Sequence, residues 1–363
     1  MATAPTNPEI SYPQNPSADK RSRRFAAPRE RILTPCLYAS LDSGEEVAEV
    51  IAIDSTRARE TLIPNPRWRD GKPVLSVLVP FYRHDPSPLL FMLDRENVDA
   101  EVILLDNGSA DAKLLENVKV TLAAMDLPSM LIRLDRNEGR SKGRNRLARH
   151  ARSANFLFVD SDMLPDDPNY LSIYIDLIES RNPAVVFGGY SVRQAPNSPE
   201  YALHRRLALS SDCAPAAIRR LFPEKHVFTS NLLVRRDVFQ EESFDESFRG
   251  WGWEDIEWSM RVGQRYPLTH IDNAATHLGL NSARMLAAKF EQSAANFARM
   301  VARHRDRVQR YRSYRAACML KRLPLLNVWK PLFKAAALAE SAPLSARALA
   351  MRLYRATLYV DAV

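Results

Sequence analysis

Four short apolar runs, each released into a polar loop, set the rhythm of the chain from residue 74 to residue 160. They are Val74-Leu-Ser-Val-Leu-Val79, Ala100-Glu-Val-Ile-Leu-Leu105, Met130-Leu-Ile-Arg-Leu134 and the segment Asn155 to Val159, which contains Phe156-Leu-Phe-Val159. Near-continuous apolar character over five or six residues is the pattern of strands buried on both faces of a parallel sheet. Pro80 is expected to stop the first of them. Helical spacing follows the first strand and recurs over residues 113–125 and 141–153, so the order reads βαβαβαβ. That order predicts a doubly wound α/β half whose ligands sit beyond the carboxyl ends of the strands, the edge on which Asp106 and Asp160 both fall.

Beyond this half, Ala184-Val-Val-Phe-Gly-Gly-Tyr190 and Phe228-Thr-Ser-Asn-Leu-Leu-Val234 read as further strands of the same sheet. The acidic and aromatic segment that follows is expected to start a helix through Trp258 and Val262. After Leu280 the composition turns to Ala, Arg and Leu at helical spacing, which predicts a helical C-terminal extension. The expected organisation is a mobile tail over 1–30, an N-terminal extension over 31–72, a main α/β domain over 73–282 and a basic helical extension over 283–363. Within the N-terminal extension, Val47-Ala-Glu-Val-Ile-Ala-Ile53 suggests a hairpin or small add-on.

Composition changes this picture little. At 363 residues with 46% hydrophobic content, the chain is long enough for one large domain with a real core. It has no apolar run long enough to span a membrane and no apolar segment behind its N-terminal basic residues, so a cytoplasmic location is expected. Cys36, Cys213 and Cys318 are far apart and lack metal-ligand spacing, and buried thiols are expected. The net charge of +8 is uneven, with much of the excess between Arg284 and Arg322. Nucleic acid, anionic lipid or a diphosphate substrate would each suit a basic chain, but only the diphosphate also accounts for the carboxylate clusters, so no nucleic-acid partner is expected.

Candidate chemistry lies in three places. Phe248-Arg-Gly-Trp-Gly-Trp-Glu-Asp-Ile-Glu257 packs two indoles, two glycines and three carboxylates into ten residues, in a chain with only 11 glycines in all. Asp160-Ser-Asp162 ends the fourth strand, so its carboxylates are set to approach one ligand, one at a ribose hydroxyl or water and the other at a divalent cation. A turn or helix cap leading into Leu164-Pro-Asp166 is the plainer reading of those two residues. Asp106 ends the neighbouring strand, either to meet a ribose or base edge or to close an Asx-turn over Asn107-Gly108. Asn137-Glu-Gly-Arg-Ser-Lys-Gly-Arg-Asn145 opens a helix with Ser141 as its expected N-cap. Its amides, Lys142 and Arg144 suit phosphate oxygens, although a solvated basic helix face has the same composition. Glu257 and Arg261, at i and i+4, are expected to pair on the helix surface.

Taken in order, Val77-Leu-Val-Pro80, Asp106-Asn-Gly-Ser109, Asn137-x-Gly139, Arg144-Asn145, Asp160-Ser-Asp162 and Gly250-Trp-Gly-Trp-Glu-Asp255 resemble a GT-A glycosyltransferase of family 2, over about residues 74–280. The part from Phe244-Asp-Glu246 through Arg261 is similar to the acceptor-side module of β-1,4-galactosyltransferases and bacterial chondroitin-type polymerases. The resemblance implies a nucleotide-sugar site formed by Pro80, Tyr82, Arg83, Asp106, Asn137, Gly139, Lys142, Arg144, Asp160 and Ser161. It implies metal ligation by Asp162, with Asp160 directly or through water, and by His277 in Thr276-His-Leu-Gly279, although a lone histidine is more often structural. On the acceptor side it implies Glu254 and Trp251 or Trp253 against the sugar, and Asp255 as the base.

A mixed carboxylate and imidazole site favours Mn2+ over Mg2+. The implied reaction is metal-dependent transfer, with inversion, from a nucleotide sugar (a UDP-sugar by resemblance) to a hydroxyl of a glycan or lipid-linked glycan, in bacterial surface polysaccharide synthesis. A retaining GT-A enzyme, a non-catalytic nucleotide- or glycan-binding module and an RNA-binding protein are the rivals, and the last lacks an aromatic recognition motif. The arginine-rich stretch 299–322, with Val301, Val308, Tyr311, Tyr314 and Leu320, reads either as a peripheral anchor at the inner face of the plasma membrane or as a helix packed on the domain with solvated arginines.

Overall fold

A computed structural model describes residues 58–363; the tail, the 47–53 hairpin and Cys36 lie outside the described residues. In chain order the strands are β1 (Glu60–Pro64), β2 (Leu75–Phe81), β3 (Ala100–Asp106), β4 (Ser129–Leu134), β5 (Asn155–Val159), β6 (Met163–Pro165), β7 (Val185–Phe187), β8 (Tyr190–Ser191), β9 (Asn231–Arg235), β10 (Leu268–His270) and β11 (Ala275–His277). The helices are α1 (Ser87–Leu93), α2 (Ala112–Ala124), α3 (Arg140–His150), α4 (Tyr170–Arg181), α5 (Ala202–Leu209), α6 (Ala216–Arg219), α7 (Arg236–Glu241), α8 (Glu254–Val262), α9 (Ala283–Val308), α10 (Arg312–Lys321), α11 (Leu326–Leu338) and α12 (Leu344–Thr357).

The main sheet runs β1-β4-β3-β2-β5-β9-β7-β10. Its centre, β4-β3-β2-β5, is parallel, and β1 and β9 are antiparallel to their neighbours β4 and β5. Alternate side chains explain why the runs are continuous rather than amphipathic. Leu75, Val77, Val79, Val102 and Leu104 point to the side covered by Leu89, Leu90, Val118, Leu171 and Tyr174 of α1, α2 and α4. Leu78, Ile103, Leu105, Phe156 and Phe158 meet Leu147, Val238 and Trp258 of α3, α7 and α8 on the other. Both faces are therefore dry, and polar alternation has no place in these strands.

Several expected boundaries move. Pro80 lies inside β2, which continues to Phe81 opposite Asp106. Its missing N–H is tolerated because the pairing of β2 with β5 has already ended at Leu78 opposite Phe158. The run from Ala184 to Tyr190 is not one strand: Gly188-Gly189 separates β7, in the main sheet, from β8, in a small sheet ordered β6-β11-β8. The 228–234 run is strand only from Asn231. The end of the N-terminal extension supplies β1, the edge strand of the main sheet. Its Glu60 joins Glu138 around the buried Arg146, each 2.6 Å away, which ties edge strand, loop and α3 together.

The C-terminal helices pack behind the acidic and aromatic loop. Asn296 of α9 donates to the carbonyls of Arg249 and Gly252, both at 2.9 Å. Trp253 is in the core: its indole N–H donates to Tyr359 Oη at 3.1 Å and its ring lies 5.0 Å from that of Phe297. The expectation that Trp253 presents a free face to a sugar is corrected by this packing. Gly250, Gly252 and Trp253 have φ of 72°, 90° and 77°, so the loop turns sharply through left-handed conformations, which glycine adopts without strain at two of the three positions. Trp253→Ala is expected to destabilise the protein by about 3–5 kcal/mol, measured by denaturant titration.

The stretch 299–322 also packs inward. Val301, Val308, Tyr311, Tyr314 and Leu320 are all buried, which supports the second of the two readings for those residues. Glu257 and Arg261 do pair, at 3.0 Å, but Glu257 is fully buried and is shared with His304 at 3.2 Å, so this is a core ion pair and not a surface one. Cys213 and Cys318 are half-buried rather than sequestered.

Candidate functional site

The carboxyl ends of β2, β3 and β5 bring Pro80, Tyr82, Arg83, Asp106 and Asp160 to one edge, as the strand order requires. Asp106 is buried, and its Oδ1 accepts the backbone N–H of Ser109 at 2.8 Å, so one oxygen closes the turn anticipated there. Ser109 Oγ accepts from the N–H of Arg83 at 2.8 Å, linking this turn to the loop after β2. Asn107 joins the next loop, donating to the Gly139 carbonyl at 3.2 Å and accepting from the N–H of Glu138 at 3.0 Å. Asn137 Oδ1 accepts from the N–H of Gly139 at 2.8 Å. Gly139, not Ser141, is the N-cap of α3; Ser141 lies within the first turn, its hydroxyl buried and without a partner. A glycine cap leaves the first amides of α3 uncovered by any capping side chain.

Arg144 departs from its expected role. Its side chain is 2% exposed and donates to Asp160 Oδ1 at 2.7 Å, with Glu254 Oε1 3.6 Å away. Committed to two carboxylates inside the protein, it is not presented to solvent as a phosphate hook. One helical turn earlier, Arg140 bonds Glu254 Oε1 at 3.0 Å and lies 3.5 Å from Asp160 Oδ2. Sequence reading passed over Arg140; its i, i+4 spacing with Arg144 was the available signal. These two guanidiniums join the end of β5 to the start of α8, which stand 94 residues apart in the chain.

Asp255 follows Glu254 and retains partial exposure. Burial, and then the neighbouring Glu254 carboxylate, push its pKa up to about 7, against the opposing pull of Arg144 and Arg140. Its Oδ1 accepts from the N–H of Ile256 at 2.8 Å. Trp251 is half-buried against Phe290, with ring centroids 5.9 Å apart.

Asp162 and His277 meet through sheet pairing. β11 runs antiparallel to β6 with His277 opposite Met163, and the N–H of Leu278 donates to the Asp162 carbonyl at 2.8 Å. This register places His277 Nε2 3.0 Å from Asp162 Oδ2. The ion pair with His277 holds the Asp162 carboxyl well below the usual range although burial opposes it, and His84 and Lys289 add to the pull. Tyr190 stacks on His277 at 5.5 Å, and His204, kept neutral by burial with a pKa lowered to about 3, lies 6.0 Å away. Ser161 Oγ is 3.4 Å from His84 Nδ1. His84, His204 and Lys289 carry no sequence signal, because they arrive from a loop and two helices that only the tertiary fold brings in.

As for a metal, among the described residues no group of three His, Cys, Asp or Glu side chains converges on one point. The close Asp162 and His277 pair suits a cation that takes its other ligands from substrate oxygens and water, since such ions keep an incomplete protein shell in diphosphate sites. Gly279 backs this pair: a Cβ there would stand 2.2 Å from Asp162 Oδ2. Gly279→Ala is therefore expected to swing the Asp162 carboxylate off His277 and weaken Mn2+ affinity roughly 10–100-fold. Isothermal titration would measure this, with an unchanged circular dichroism spectrum as the control.

Against known proteins, residues 76–242 match the family model described as Glycosyl transferase family 2. Over this segment the chain is similar to family 2 glycosyl transferases. The matched segment runs from β2 to α7, includes Asp106, Asp160 and Asp162, and ends before Glu254 and Asp255. The chain is 32% identical over 125 residues to a Mycobacterium tuberculosis protein described as "Putative glycosyltransferases", covering 33% of this chain and 36% of that protein. It is 37% identical over 95 residues to the uncharacterized glycosyltransferase YfnE of Bacillus subtilis, covering 24% and 23% of the two. The chain thus spans about a third or less of the length of these relatives. A mannosyltransferase from Pyrobaculum calidifontis, solved with GDP-Man and Mn2+, superposes with a TM-score of 0.50 over 82% of this chain and 88% of that one, at 15% identity. That likeness supports a GT-A fold for the α/β part of the chain.

Proposed function

We propose that this protein transfers a sugar from a nucleotide-diphosphate sugar, a UDP-sugar in our reading, to a hydroxyl of a glycan acceptor with inversion at the anomeric carbon. The observation that carries the reading is the Arg140 and Arg144 pair. It binds Asp160 at the nucleotide edge and Glu254 at the start of α8, with Asp255 beside them at a pKa of about 7. A donor edge and a candidate base on either side of one cleft are what a single displacement needs.

In this reading the turn at Asp106 and the loop holding Asn137, Gly139 and Lys142 receive the nucleoside and phosphates, with Pro80, Tyr82, Arg83 and Ser161 at their margin. Asp162 and His277, with Asp160 behind them, would hold a divalent cation, Mn2+ in preference to Mg2+ because of the imidazole. When bound, that cation supplies positive charge beside the departing diphosphate. Arg140 and Arg144 hold Asp160 and Glu254 in place. Glu254 and the half-buried Trp251 would position the acceptor, while Trp253 anchors the loop in the core. Asp255 takes the proton from the acceptor hydroxyl as its oxygen attacks the anomeric carbon; the C–O bond to the phosphate breaks on the opposite face, and the electron pair leaves with the nucleotide. Bacterial surface polysaccharide synthesis is the setting we infer. The mannosyltransferase solved with GDP-Man and Mn2+ is a relative in fold that binds such a donor and ion, which supports the donor class.

The test is a panel of nucleotide sugars with and without Mn2+, scored by thermal stabilisation and by release of nucleoside diphosphate in the presence of acceptor glycans, followed by NMR of the product anomer. Donor-dependent release with an inverted product supports the proposal. A retained anomer would remove Asp255 as the base of a single displacement, and no response from any nucleotide sugar would defeat the reading.

A further inference from the structure

We infer that the α10–α11 surface is a docking face for an anionic phospholipid bilayer. Three features meet there. Residues 307–339 hold eight Lys and Arg and no Asp or Glu. Large apolar side chains are left in solvent over the same stretch: Met319 and Leu325 are each 72% exposed, Val328 58% and Leu332 50%, with Trp329 and Leu323 beside them. Finally, Arg310, Arg315 and Arg322 line a cavity of about 490 Å3 that Met319 borders.

This face differs from the helices around it. α9 and α12 bury their apolar stripes, including Phe290, Phe297, Met300, Met351 and Tyr354, whereas α11 fully buries only Ala337. Arginines nearby are paired with carboxylates, Arg303 with Asp245 and Arg261 with Glu242 and Glu257. Among the described residues, no carboxylate pairs with Arg310, Arg315 or Arg322. Leu325 caps α11 in a left-handed conformation, φ 59°, which holds an apolar side chain at the tip of the 321–326 turn.

Apolar groups ringed by unpaired cations match the interface of an acidic membrane, where leucine and tryptophan enter the acyl boundary and arginines meet lipid phosphates. The cavity has the charge and room for one phosphodiester headgroup. No helix among the described residues is long and apolar enough to cross a membrane, so the contact is peripheral.

Flotation of the full chain with vesicles decides the matter, and because it requires no nucleotide sugar its outcome is independent of the transfer reading. The protein is expected to float with phosphatidylcholine vesicles that contain phosphatidylglycerol and not with pure phosphatidylcholine, and to be released by high salt. The triple variant Arg310→Ala, Arg315→Ala, Arg322→Ala should lose roughly a hundredfold in apparent affinity. Leu325→Asp with Val328→Asp should lose at least tenfold, with an unchanged melting temperature, since these side chains are in solvent. Equal binding to neutral vesicles, no binding to acidic ones, or unaltered binding by both variants would overturn the inference. So would a concentration-dependent dimer abolished by Leu325→Asp with Val328→Asp, which would assign the face to a second copy of the chain.

Discussion

Asp255→Asn is expected to lower the rate of sugar transfer by roughly 10²–10⁴-fold while nucleotide binding, followed by isothermal titration, stays within a factor of about two. The substitution keeps the shape of the side chain and its bond from the Ile256 N–H, and removes only the ability to accept a proton. The pH dependence follows from the raised pKa. The base works deprotonated, so kcat/KM should fall about tenfold per pH unit below pH 7 and level off above it. Stability should run the other way. A carboxyl whose pKa is raised in the folded state contributes stability that is present below its unfolded value, near 4, and lost as pH rises through 7. Asp255→Asn should therefore raise the melting temperature at pH 8 by about 2–4 °C while lowering turnover as above. A fall in both would mean that Asp255 holds the loop together and is not the base.

Asp162→Ala is expected to remove the Mn2+-dependent part of nucleotide affinity and to cost roughly 10²–10³-fold in transfer. Two consequences separate a metal ligand from a merely structural partner of His277. In wild-type protein, Mn2+ with nucleoside diphosphate should raise the melting temperature more than either alone, by mass action on the folded state; in Asp162→Ala that synergy should vanish. His277→Ala should show the same loss of synergy, because both side chains meet at one point 3.0 Å apart. Retained synergy in both variants would remove the pair from cation binding.

The parallel half was legible because each strand there is buried on both faces, and that condition leaves a continuous apolar signature no loop or surface helix imitates. Strand ends were legible for a related reason: Asp106 and Asp160 interrupt those runs where the chain leaves the sheet. Short elements were not. β6, β8 and β11 have two or three residues each, too few to carry a period, and β7 and β8 lie so close in the chain that only a change of sheet at Gly188-Gly189 separates them.

Side-chain roles divided along the same line. Residue type and order were enough to nominate Asp160, Asp162, Glu254 and Asp255, since clustered carboxylates at strand and helix termini are uncommon without a ligand or partner. They could not tell an arginine that meets substrate from one that is buried against a carboxylate, and Arg144 proved to be the second. Nor could they tell a buried indole from a half-buried one: Trp251 and Trp253 have the same neighbours in sequence and different ones in space.

By itself the chain's order of residues determined the layered α/β scaffold and the edge at which the candidate site residues gather, because backbone burial and apolar periodicity are local properties that each segment carries with it. The tertiary structure alone decided that His277 stands beside Asp162, that two arginines bridge Asp160 to Glu254, and that the apolar side of α11 is left in solvent. Those facts depend on register and packing between segments far apart in the chain, and the energy that settles them exists only when the segments meet.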